Sequence, residues 1–201
     1  ELCYKKKNQP QTRAEFLQYS QEIKLDPNTA HSRLLLSEGN RKVTLMSEDQ
    51  IYPRHPDRFT GYYQVLSRES LTGRCYWEVE WRGEGGEGEA VVGVAVTYKD
   101  INRIGGLVQC LFGANDKSWC LYFDKNSCCF RRNRIRTKVS VPGSSSRVGV
   151  YLDHRAGLLS FYRVSVTMTL LHRVQTTFTQ PLYAGLGLYD SPGETAEFCK
   201  L

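Results

Sequence analysis

Gly83-Glu84-Gly85-Gly86-Glu87-Gly88 satisfies the pattern G-x-G-x-x-G and follows an extended segment. That pattern holds a dinucleotide only when a helix starts at its last glycine and points its N-terminus at the pyrophosphate. Here a strand-like apolar run follows, and the two glutamates would repel phosphate, so the segment reads as a flexible hairpin loop. The histidines, His31, His55, His154 and His172, fall at no metal-ligand spacing. The cysteines are odd in number, seven, and form no Cys-x-x-Cys pair, which argues against a disulfide framework and against zinc. A Gly-x-Ser-x-Gly elbow and a phosphate-binding loop are both missing, and a Cys–His nucleophile could only be assembled in space. The expectation is a domain with no catalytic residues, no metal and no cofactor.

Two other residue sets could bind rather than react. Arg131, Arg132, Arg134, Arg136 and Lys138 place five positive charges within eight residues, and Lys5-Lys6-Lys7 adds a second basic run. Such cations can hold RNA phosphates by counterion release. They can equally meet an acidic protein surface, or simply blunt a sheet edge against aggregation. The formal charge of +6 permits either kind of partner and demands neither. Tyr52, Tyr62, Tyr63, Tyr122 and Tyr189 flank turns. Tyrosines on loops above a rigid scaffold make good anchors, with large contact area, few rotors and a polar tip, though they also fill sandwich edges.

The elements that must carry these residues are strands. Thr12-Arg13-Ala14-Glu15 fits a capping box, and Phe16, Tyr19 and Ile23 follow at helical spacing, so one short helix is expected, ending before Asp26-Pro27. Residues 33–36 and 42–46 are short extended pieces around the turn Glu38-Gly39-Asn40, and residues 52–58, with two prolines, are irregular. In residues 75–81, Cys75, Trp77, Val79 and Trp81 alternate with Tyr76, Glu78 and Glu80, the pattern of a half-buried antiparallel strand. Residues 90–98 are apolar on both faces, hence central. Further strands are expected at 118–123, 128–132, 147–152, 158–162, 168–174 and 182–188, with a tight turn at 153–157. Many short strands behind one helix point to an all-β sandwich.

At 201 residues the chain can bury a full core as one domain. Its 40% hydrophobic and 24% charged residues are those of a globular protein rather than a disordered one. The longest apolar run, 90–96, is far below the roughly 20 residues a membrane helix needs, so no membrane partner is expected. Unpaired cysteines and the lack of an Asn-x-Ser/Thr site suggest a reducing, cytosolic setting. The first residue is Glu1, which suggests a piece of a longer protein.

Several blocks in order then resemble a known family. Leu25-Asp26-Pro27-Asn28-Thr29-Ala30, Leu34-Leu35-Leu36-Ser37 and Arg41-Lys42-Val43 look like a PRY segment. Gly73-Arg74-Cys75-Tyr76-Trp77-Glu78-Val79-Glu80 looks like the opening of SPRY. It is followed by Lys117-Ser118-Trp119-Cys120-Leu121, by Val148-Gly149-Val150-Tyr151-Leu152-Asp153 with Gly157-Leu158-Leu159-Ser160-Phe161-Tyr162, and by Phe178-Thr179-Gln180-Pro181-Leu182-Tyr183. The whole resembles a B30.2 (PRY–SPRY) domain, most like those of tripartite-motif (TRIM) ubiquitin ligases and NOD-like receptors of fish. By this reading residues 1–11 are a linker, 12–72 the PRY segment and 73–201 the SPRY segment. Two departures stand out: His154-Arg155 where the family usually has a Tyr-Glu pair, and Ala184 where it commonly has proline. Ala184 and Leu186 are therefore expected to alter the binding surface.

The resemblance implies a bent two-sheet antiparallel sandwich (a concanavalin-like jelly roll) whose loops converge on one recognition face. It implies a module that binds a viral or immune-signalling protein at the C-terminus of a ligase whose coiled coil makes the parent dimeric, the isolated domain being monomeric. The residues expected to contact the protein target are Tyr52, Arg54, Arg103, Ile104, Asn115, Trp119, Leu186, Tyr189 and Asp190, with Trp119 also a candidate for the core. The alternatives are RNA binding through Arg131, Arg132, Arg134, Arg136 and Lys138, and ligand sensing in a NOD-like receptor. Ligase or hydrolase turnover by the domain itself is not expected.

Overall fold

A computed structural model describes residues 9–84, 90–125, 127–141, 143 and 145–201. The lysines at 5–7, Cys3 and most of the glycine-rich loop lie outside these residues. The chain runs through α1 (Arg13–Leu17), β1 (Leu34–Ser37), β2 (Lys42–Leu45), β3 (Gln64–Leu66), β4 (Arg74–Arg82), β5 (Val92–Tyr98) and α2 (Leu107–Cys110). It continues through β6 (Ser118–Asp124), β7 (Ser127–Arg132), β8 (Ile135–Val139), β9 (Arg147–Asp153), β10 (Leu158–Val164), β11 (Met168–Gln175), β12 (Leu182–Leu188) and β13 (Thr195–Phe198). One antiparallel sheet has the order β1-β2-β13-β4-β9-β10-β11, the other β3-β12-β5-β6-β7-β8. The expected two-sheet sandwich is present. Among the described residues no helix is long and apolar enough to cross a membrane.

The core between the sheets follows the period-2 rule. Trp77 and Val79 of β4, Val94 and Val96 of β5, Trp119 and Leu121 of β6, Phe130 of β7 and Phe161 of β10 all point inward and are buried. β5 is buried along its whole length, as its two-sided apolar pattern predicts. At the β10–β11 approach, Gly157 sits at φ +70°, and a Cβ there would lie 1.7 Å from the Thr176 carbonyl oxygen, so only glycine fits the turn.

Two expectations are corrected on the outside of the seven-stranded sheet. The helix ends at Leu17 instead of running toward Ile23. The sheet competes for its backbone: Tyr76 N donates to Tyr19 O, Gln21 N donates to Tyr76 O, and Ser20 bridges Tyr76 in parallel. Thr12 caps as read, with Glu15 N donating to Thr12 Oγ1, while the Glu15 carboxylate reaches one residue further back than a capping box requires and accepts from Gln11 N. Secondly, β4 is buried on both faces because residues 9–23 cover its outer side. Phe16 is fully buried among Tyr76, Tyr151 and Tyr162. Glu78, also fully buried, accepts from Arg13 at 3.0 Å, from Arg147 at 2.8 Å and from the Tyr76 hydroxyl at 3.1 Å. A carboxylate out of water is tolerable only with such a set of donors.

Candidate functional site

The outer face of the six-stranded sheet carries the second satellite layer. Strand register sets two rows of side chains across it. One row reads Gly185–Ala95–Cys120–Arg131–Arg136, the other Gly187–Gly93–Tyr122–Cys129–Lys138. The glycine ends form a low floor on which rings lie flat. A Cβ at Gly187 would fall 2.1 Å from the Tyr189 hydroxyl, and one at Gly185 would fall 2.8 Å from Phe112 Cζ. The floor at the β12–β5 end is therefore aromatic, and the β7–β8 end is cationic.

The segment 99–117, which joins β5 to β6, is held on this face by named contacts. Phe112 is buried against Phe59, edge to face at 5.6 Å. Gln64 of β3, fully buried, donates from Nε2 to Cys110 O at 2.8 Å. Its Oε1 accepts from Phe112 N at 3.0 Å and from the Tyr189 hydroxyl at 2.7 Å. One amide thus ties β3, the 99–117 segment and the 189–194 loop together. Asn115 donates to Leu111 O and accepts from the Ser118 hydroxyl, which itself accepts from Gly113 N. Glu194 accepts from Val91 N and Asp190 N and so fixes the 189–194 loop. Burial pushes its carboxyl up, and these backbone donors oppose that. The face is preorganised, while Ile104 (73% exposed) and Leu107 of the same segment stay open to solvent.

The chemistry available here is docking. Burial pushes the phenols of Tyr122 and Tyr189 well above their ordinary range, so both are neutral. All six described thiols are likewise raised by burial, Cys75 and Cys199 to about 11 and Cys128 to about 12. None is a thiolate at neutral pH. Among the described residues no group of three or more His, Cys, Asp or Glu is arranged for a metal.

Of the residues expected to contact a target, Arg54, Ile104 and Asp190 are exposed, and Tyr189 is half-buried on the glycine floor. Tyr52 is half-buried, donates to Leu34 O at 2.7 Å and carries the Arg58 guanidinium 4.6 Å over its ring. The others are corrected. Leu186 and Ala184 are fully buried because they face the core side of β12, so neither shapes the binding surface. Trp119 takes the core role, edge-on to Tyr98 and Phe178. Asn115 spends its amide on the loop, as above. Arg103 is buried over Phe59 at 4.8 Å, donates to Lys99 O and offers its own carbonyl to Thr60 N, which locks residues 59–61 to the 99–117 segment.

The basic run is split. Arg131, Arg136 and Lys138 lie on the outer face, with Arg131 itself buried, and Arg134 sits exposed in the two-residue turn. Arg132 lies on the opposite side, its guanidinium 4.0 Å over Trp119. A continuous phosphate-tracking stripe of five side chains is not formed. Gln64 was missed altogether; a lone glutamine between Tyr63 and Val65-Leu66 was the available signal.

Residues 23–71 match the SPRY-associated domain family PRY, and residues 74–200 match the SPRY domain family. Tripartite motif-containing protein 16 of Mus musculus is 38% identical over 90% of this chain, which covers 32% of that relative. The solved stonustoxin structure is 31% identical, with a TM-score of 0.83 over 94% of this chain and 30% of that one. The crystal structure of the TRIM65 PSpry domain, at 24% identity, shares the fold with a TM-score of 0.80 over 96% of this chain and 99% of that one. The chain spans between 25% and 40% of the length of the curated relatives named first among its matches. It belongs to the SPRY family as a PRY–SPRY (B30.2) domain related to those of tripartite-motif proteins, a module that binds protein targets.

Proposed function

We propose that this domain is the target-recognition part of a longer tripartite-motif ubiquitin ligase acting in the cytosol on viral or immune-signalling proteins. The observation that carries the docking half of this reading is the rigid outer face of the six-stranded sheet. There Gln64 locks two loops over a tyrosine-lined floor while Ile104 and Leu107 remain exposed. Apolar anchors on a preorganised surface cost little ordering entropy when a partner docks. The relationship to tripartite motif-containing proteins 16 and 14 supports the ligase half.

The test uses the full-length protein with ubiquitin, its activating and conjugating enzymes, and ATP. Self-modification is expected, together with modification of a co-purified partner. Ile104→Asp combined with Leu107→Asp is expected to reduce partner modification by about tenfold or more, with self-modification unchanged. Lack of any ubiquitin transfer overturns the ligase reading. Undiminished modification of the partner by the double variant overturns the docking reading.

A further inference from the structure

Arg131 and Arg136 stand directly opposite each other on β7 and β8. The turn between these strands has two residues, Asn133 and Arg134, both at positive φ. A two-residue turn makes Arg132 and Ile135 the closing hydrogen-bonded pair, so Arg131 and Arg136 form the next, non-hydrogen-bonded pair, the type with the closest side chains. Like charges placed there destabilise a hairpin. Arg131 is moreover 8% exposed, its Nε is buried without a hydrogen-bond partner, and among the described residues neither arginine has an ion pair. The backbone around Arg131 is clasped from above, since a Cβ at Gly113 would lie 2.6 Å from Arg131 O. Of the nearby carboxylates, Asp124 lies at the other end of the strand pair, opposite Ser127, and exposed Asp116 lies within Coulombic reach of Arg132, and neither forms an ion pair with Arg131 or Arg136 among the described residues. The free fold gains nothing from setting two arginines directly across from each other without an ion pair to either.

We propose that Arg131 and Arg136 form a socket for a carboxylate of the docked protein, so that this face selects a segment carrying an acidic residue beside an apolar one. The proposal rests on the docking reading above and names the partner's chemistry at the same face. Guanidinium forks grip a carboxylate with paired hydrogen bonds, and the bound anion would relieve the cross-strand repulsion. The rest of that row, Cys120, Ala95 and Gly185, is buried beneath Phe112 of the 99–117 segment, so the apolar neighbour would meet that segment's exposed Ile104 and Leu107. A phosphate chain would want a longer run of exposed cations, and Arg132 is turned away.

A random peptide library displayed on phage is selected against this domain, and single-stranded oligouridylate is titrated in parallel. Selected peptides are expected to be enriched in Asp or Glu next to an apolar residue. They are expected to lose about tenfold or more in affinity for Arg136→Gln, an exposed position, and for Arg131→Gln. In the free domain Arg136→Glu, which pairs with Arg131, is expected to raise the melting temperature by about 1–3 °C while abolishing acidic-peptide binding. Peptides that depend on Ile104 but show no acidic enrichment, or that bind Arg136→Gln unchanged, overturn the socket and leave docking standing. Peptides indifferent to both Ile104 and Arg136 overturn docking itself. Oligouridylate binding abolished by Arg136→Gln, without acidic peptides, assigns the cations to phosphate and also overturns the proposal, as does an unchanged melting temperature for Arg136→Glu.

Discussion

Gln64→Leu is expected to destabilise the domain by about 3 kcal/mol and to loosen the docking face at the same time. The leucine fills nearly the same space but satisfies none of the three groups that Gln64 serves: Cys110 O, Phe112 N and the Tyr189 hydroxyl. The first two are buried, and each costs about 1–3 kcal/mol when left unpaired, whereas half-buried Tyr189 can turn to water. For a domain of this size the loss corresponds to a fall in melting temperature of about 6–12 °C. Gln64→Glu is the informative companion. As a carboxylate it keeps acceptors for Phe112 N and the tyrosine, but it loses the donor to Cys110 O and buries a charge that only two donors serve. At neutral pH the loss is therefore expected to be at least as large as for the leucine, and smaller in acid, where the protonated carboxyl can again donate to Cys110 O. Thermal melts of both variants, with amide exchange over residues 107–113, check this; an unchanged melting temperature for Gln64→Leu would contradict the assigned role.

Phe16→Ala is expected to cost about 3–5 kcal/mol, the range for emptying a buried aromatic site. The ring is fully buried and packs on Tyr76 at 5.3 Å, Tyr151 at 5.2 Å and Tyr162 at 4.8 Å. Its neighbours cannot follow it inward, because Tyr76 and Tyr151 belong to paired strands in the middle of the sheet. The helix is only five residues long and has no stability of its own, so what the ring loses is shared by the whole docked segment. That segment is also held by Arg13 on Glu78 and by Gln9 on Asp153 and Tyr151. Urea unfolding measures the effect, and a loss below about 1 kcal/mol would mean that the segment contributes little. Because Phe16 lies on the sheet opposite the docking face, this variant is expected to retain peptide binding, whereas Gln64→Leu loses it.

The contrast between these two residues shows where sequence patterns are informative. Alternation in β4 correctly turned Cys75, Trp77, Val79 and Trp81 inward, and the two-sided apolar run correctly made β5 central. Alternation says which residues share a side, not whether the other side meets water. The burial of Tyr76 and Glu78 therefore depended on a helix whose docking left no periodic trace in β4. Leu186 was misplaced for the same reason: its side of β12 could not be told from its neighbours, all of them small or apolar. The five cations at 131–138 looked like one patch because they are adjacent in sequence, and period 2 with a two-residue turn divides them between faces. Gln64 was invisible because a buried amide that serves two loops has no spacing rule; it shows only when the loops are in place.

Site-specific photo-crosslinking in cells tests most directly whether the outer face of the six-stranded sheet is where partners dock. Benzoylphenylalanine placed at Ile104, on that face, is compared with the same residue at Leu170, which is exposed on β11 at the edge of the other sheet. The account predicts discrete protein adducts from position 104 that disappear when Gln64→Leu is added, and none from position 170. Adducts of equal yield at both positions, or at position 170 alone, would contradict it.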